Sequence, residues 1–163
     1  MTLPDICVSL TKAQRRTQVQ RDEYVAWVDK YAPTELGGIG MNGLTCYRLR
    51  CGVIHSGNAA KNEFLDSNAV IFFVPESRSG FHGITIQNSE TEKAMCFMLG
   101  IFLEALTRGV SRWYQDHAGS EVVTRNLAHL LTWHPEGIHP FIAGAPVIGS
   151  YISDVGALPD KAI

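Results

Sequence analysis

The run Tyr47-Arg48-Leu49-Arg50-Cys51-Gly52-Val53-Ile54-His55-Ser56-Gly57 gathers two arginines, a thiol and an imidazole around a central glycine. A histidine titrates near neutrality, so His55 could take a proton from a nucleophile or return one to a leaving group. An arginine fork holds a phosphate and stabilises the charge that builds up in a transition state. Together these groups suit phosphoryl chemistry. RNA carries its own nucleophile, the 2′-hydroxyl beside each scissile phosphate, so that reaction needs no metal. On a helix turning about 100° per residue, Arg48 and His55 lie nearly on one face, with Cys51 beside them. Arg50 lies about 140° from His55, a separation that a long guanidinium can bridge into one cleft.

Each of these residues also has an ordinary reading. Exposed arginines pair with carboxylates, and a histidine at a helix C-terminus gains about 0.3–1 kcal/mol from the dipole. Cys51 and His55 have the spacing of a thiol–imidazole pair, but no third residue orients them. Cys46 lies off the face of Cys51 and His55. The histidines at 82, 117, 129, 134 and 139 show neither HExxH nor paired-cysteine spacing, so no metal site or cofactor is expected. The stretch Gly37-Gly38-Ile39-Gly40 lacks the Lys-Ser or Lys-Thr of a phosphate loop. Lys12, Arg15, Arg16 and Arg21 form a basic patch that reads as a solvated face.

The elements that must position these residues follow from periodicity. A first helix is predicted from Ser9 to Tyr31, with Tyr24, Val25, Trp27, Val28 and Tyr31 as its apolar face and Pro33 as its stop. A second runs from an Asn42 cap to Ser56, with Gly57 ending it. Gly52 inside that helix costs about 1 kcal/mol relative to alanine, which makes sense where another backbone comes close. Ala69–Val74 and Gly83–Gln87 read as a β-hairpin with a long loop. Ser89 and Glu92 have capping-box spacing, and Ala94, Phe97, Met98, Ile101, Phe102 and Ala105 mark a helix continuing to Trp113 and Tyr114, with Gly109 a weak point. Ser120 caps a fourth helix that ends before Pro135. Beyond it, recurrent Gly and Pro predict an irregular wrap.

The Arg50-x4-His55 spacing matches the Rx4-6H motif of the HEPN superfamily, and Arg48 fits its longer limit. The wider run of Tyr-Arg-Leu-Arg-Cys followed by Ile-His-Ser-Gly resembles the motif helix of bacterial members. That resemblance implies a mainly α fold, a HEPN-like helical bundle with an inserted β-hairpin over residues 1–135, followed by a C-terminal wrap or tail over 136–163. It implies a homodimer in which the motif helices of two protomers meet, with Gly52 allowing their close approach. It implies a metal-independent endoribonuclease in which His55 is the acid–base residue, Arg50 stabilises the phosphate and Arg48 assists. RNA or a nucleotide would then be the ligand, and an antitoxin protein a partner. Cys51 stands where active members often carry a polar residue, which favours the alternative of a non-catalytic dimerising module that binds a nucleotide or a partner protein.

The chain has 163 residues, 14 basic and 16 acidic, for a net charge of −2. That balance argues against blanket attraction to nucleic acid. Its 45% hydrophobic and 18% charged content belongs to a folded domain rather than a disordered chain. No apolar run is long enough to span a bilayer, and the start Met-Thr-Leu-Pro-Asp lacks a signal-peptide pattern. Four cysteines without a CxxC pair read as reduced thiols of a cytoplasmic protein.

Overall fold

Leu3–Leu10 form α1, which opens with a proline in its first turn, where the missing N–H costs nothing, and carries Asp5 near its positive end. The computed structural model describes residues 2–13, 18–33, 36, 41–56, 69–75, 82–89 and 93–150. α2 (Arg21–Tyr31) starts at a capping box in which Gln20 and Glu23 satisfy each other's backbone N–H groups. The single helix expected over Ser9–Tyr31 is therefore two helices. Gln20 is extended, and the cap chemistry that starts α2 excludes a helix running through it.

α3 (Gly43–Ser56) keeps its expected bounds, and Asn42 caps it by accepting from the Thr45 N–H at 2.9 Å. The predicted stop at Gly57 lies outside the described residues, as do Gly37–Gly40 and the basic pair Arg15 and Arg16. α4 (Leu99–His117) and α5 (Glu121–Leu127) follow, and Ser120 caps α5 through the Val123 N–H. α1, α2, α3 and α4 share one core of Cys7, Tyr24, Trp27, Leu49, Phe102 and Leu106 with their neighbours. Gly109, the expected weak point of α4, is a close-packing position. A Cβ there would lie 3.0 Å from the Trp27 ring.

The expected mainly α bundle with an inserted hairpin is overturned. Among the described residues, five helices are accompanied by seven strands in three small sheets. β1 (Ala69–Val74) and β2 (Ile84–Gln87) do not pair with each other. Both pair with β3 (Lys93–Met98), in the order β1-β3-β2, parallel on one side and antiparallel on the other. β3 occupies residues expected to begin a helix. Ala94-Met-Cys-Phe-Met98 is an unbroken apolar run, which periodicity alone cannot divide between a buried strand and a helix. Pairing on both edges decides it, and Phe97 is fully buried at the sheet's centre.

Where an irregular wrap was expected, residues 132–149 carry short antiparallel strands. β4 (Thr132–His134) pairs with β7 (Val147–Gly149) around an inner ladder of β5 (Gly137–Ile138) and β6 (Ile142–Ala143). Gly137, at φ 90°, supplies the left-handed turn that this nesting needs. Residues 151–163 lie outside the described residues.

Candidate functional site

The orientation of α3 is set by its buried positions. Gly43, Cys46, Leu49 and Gly52 recur every three residues and are buried. Gly43 lies so close to α2 that a Cβ would meet the Val25 carbonyl, and its N–H donates to Asp29 Oδ1 at 2.7 Å. Gly52, expected to face a second motif helix, is buried within the chain.

That orientation carries Arg50 to α1. Its Nε donates to Asp5 Oδ2 at 3.0 Å and its Nη2 to Asp5 Oδ1 at 3.3 Å, a two-pronged pair with both side chains about one-fifth exposed. Burial opposes the Arg50 charge, but Cys51 and Asp5 outweigh it and the guanidinium pKa is raised. Nη1 faces the Cys51 sulfur at 3.9 Å, and the Tyr47 ring lies 5.8 Å from the guanidinium carbon. Burial, aided by Cys51, raises the Tyr47 phenol in turn.

The pair forms part of the wall of a cavity of about 360 Å³ between α1, α3, α5 and the segment entering α2. Its polar lining comprises Asp5, Ser9, Gln18, Arg50 and Asn126. Asn126 is 2% exposed. Its Nδ2 donates to the carbonyls of Leu10 at 2.9 Å and Lys12 at 3.0 Å, tying α5 to the end of α1. Its Oδ1 is buried and has no hydrogen-bond partner. An unmet acceptor of this kind costs about 1–3 kcal/mol.

The expected site residues are therefore divided. Arg50 meets Asp5 and shares a cavity with Asn126. Arg48 is half-buried on another side of α3, and position 55 lies about 140° round the helix from Arg50. The His55 side chain lies outside the described residues. Asp5 and Asn126 did not emerge from motif spacing, although an asparagine inside a helix is a sequence signal, because its amide competes with backbone bonding. Among the described residues no cluster of three His, Cys, Asp or Glu gathers to hold a metal, and no helix is long and apolar enough to cross a membrane.

With its fork closed on a carboxylate, Arg50 presents a neutral pair rather than a free cation. The cavity has apolar walls and a few fixed polar groups, a composition suited to recognising a small molecule. The chain matches no family model, no curated protein and no solved structure.

Proposed function

We propose that the protein is a non-catalytic binding module whose cavity between α1, α3 and α5 holds a small molecule. One observation carries this reading: the Arg50 fork is spent on Asp5 in the wall of that cavity. An arginine that stabilises a phosphoryl transition state must turn its N–H groups to the developing charge. Here a phosphate would have to displace a carboxylate already held by two charge-assisted bonds. The test is incubation of structured RNA with the protein in EDTA, which should leave the RNA intact. Cleavage to 2′,3′-cyclic phosphate ends that disappears in His55→Ala would overturn this reading.

That outcome would support the second reading, the metal-independent endoribonuclease of a HEPN-like homodimer. It is favoured by the placement of Arg48 and position 55 seven residues apart on one side of α3. Val53 and Ile54, 42% and 46% exposed on the same turn region, are the apolar surface on which a second copy would dock in either reading.

A further inference from the structure

We infer that the open edge of β2 takes up an extended peptide segment of a partner protein as an added strand, one that carries apolar side chains at alternate positions with hydroxyls between them. β2 contributes no described residue to the cavity wall, so this surface does not rest on the small-molecule reading. β2 stands at the end of the order β1-β3-β2, and β3 is its one strand partner among the described residues. Alternate residues of a strand turn their N–H and C=O groups to opposite edges, so two of the four residues Ile84–Gln87 show a backbone donor and acceptor to the open side. The strand is exposed along its whole length, whereas β1, at the other edge, carries the buried Ile71. Natural edges are guarded by lysine, proline or a bulge. Ile84-Thr85-Ile86-Gln87 holds no charge and no proline, and it pairs with β3 in unbroken register.

The register defines what such a segment meets. Phe72, Cys96 and Ile84 form one row across the sheet, and Ala94 and Ile86 belong to the next, all on the face opposite the buried Phe97. A sheet with one face on the core ordinarily turns polar side chains outward. Here these outer positions are apolar, with Phe72, Ile84 and Ile86 exposed by 54%, 38% and 45%. An added strand continues the rows, so its residues opposite Ile84 and Ile86 gain apolar neighbours, for which β-branched and aromatic side chains are suited. Its residue between them lies beside Thr85 on the other face, where a hydroxyl pairs. A second copy fits this edge less well, because a strand of this length runs about 13 Å, too short to bury the ~800 Å² per partner of a standard interface. A peptide needs only the edge, since main-chain bonds supply its affinity and alternate side chains its specificity.

The experiment titrates the full chain into a fluorescent peptide, acetyl-Lys-Val-Thr-Val-Thr-Val-Lys-amide, and follows anisotropy. Two copies serve as comparisons. One is N-methylated at its central residues, which keeps every side chain and charge and removes the N–H donors; the other has serine for each valine. The parent peptide should bind saturably, shift the ¹H–¹⁵N amide signals of Ile84–Gln87 and slow their hydrogen exchange. Each copy should bind at least about tenfold more weakly, the scale of one or two net hydrogen bonds or apolar contacts. Ile86→Lys, which places a charge on the exposed edge, should weaken the parent peptide by a similar factor, and Ile84→Lys repeats the measurement should the first variant not fold. Equal binding of the N-methylated copy would overturn strand addition, and equal binding of the serine copy would overturn the apolar alternation. Shifts confined to β1, or no binding at millimolar peptide, would overturn the assignment to β2. Wild-type protein that sediments without peptide as a larger assembly than Ile86→Lys would make a second copy the occupant and overturn the partner segment.

Discussion

Removing Asp5 should cost far more than an exposed charge removal, because it strands the Arg50 guanidinium. Exposed ion pairs contribute about 0–1 kcal/mol, whereas breaking a fully buried one costs about 3–5 kcal/mol. With side chains 22% and 18% exposed, the Asp5–Arg50 pair lies nearer the buried limit, so Asp5→Ala should cost about 2–3 kcal/mol. Arg50→Met should cost less, about 1–2 kcal/mol, because the remaining Asp5 carboxylate still sits in the first turn of α1 near its positive end. The double variant removes both charges together and should recover about 1–2 kcal/mol relative to the sum of the singles. Urea denaturation followed by circular dichroism measures all four proteins. For a slope near 2 kcal/mol/M, each 2 kcal/mol moves the midpoint by about 1 M. Additivity within about 0.5 kcal/mol would mean that the two charges do not interact in solution. The reasoning that Arg50 is withheld from phosphate chemistry would then fail.

Gly43→Ala should destabilise by about 3 kcal/mol or more, since a Cβ there meets the Val25 carbonyl and lies 2.9 Å from the Val25 Cα, and helix propensity alone predicts a gain. Thermal melting reads the sign. Burial pushes the Cys46 thiol up to about 12 from 9.0, and Cys7 in the same direction, so the folded chain holds these protons more tightly than the unfolded one. That stability is complete below pH 9 and is lost as the pH rises through 12. At pH 10 Cys46 should account for a loss on the order of 1 kcal/mol, and Cys46→Ala should flatten the alkaline decline in stability measured by urea denaturation. Sedimentation should show a wild-type dimer that Ile54→Glu converts to monomer. A wild-type monomer would remove the Val53–Ile54 surface as an interface.

Local signals sufficed wherever an element is defined by its own residues. Asn42 and Ser120 cap the helices expected of them, because a side-chain oxygen and an N–H three residues on are enough to start a helix. The failures came where long-range pairing decides. Met95, Cys96 and Phe97 are as apolar as a helix core requires, and Ser89 and Glu92 suggest a cap. Two neighbouring strands nevertheless claim both edges of that run, one from each side. β1 and β2 look like the arms of one hairpin because each is apolar and a turn-rich segment separates them. Nothing within either strand reveals that its partner is a third segment following both.

The functional site divides along the same line. Helical pitch sets Arg48 and position 55 on one side of α3 and Arg50 on another, but it carries no information about what that other side meets. The partner of Arg50 is Asp5, 45 residues earlier, and Asn126 reaches the Leu10 carbonyl across 116 residues. An arginine awaiting a phosphate and an arginine bonded to an aspartate have the same neighbours in sequence and opposite electrostatics. Gly52 shows the same limit, since a small residue records that something comes close without saying what. Gly43, nine residues earlier, makes the close approach to α2, and Gly52 is buried within the chain. A motif of spacing alone therefore fixes a helix face, and the residue that faces it decides whether that face reacts with a ligand or only binds one.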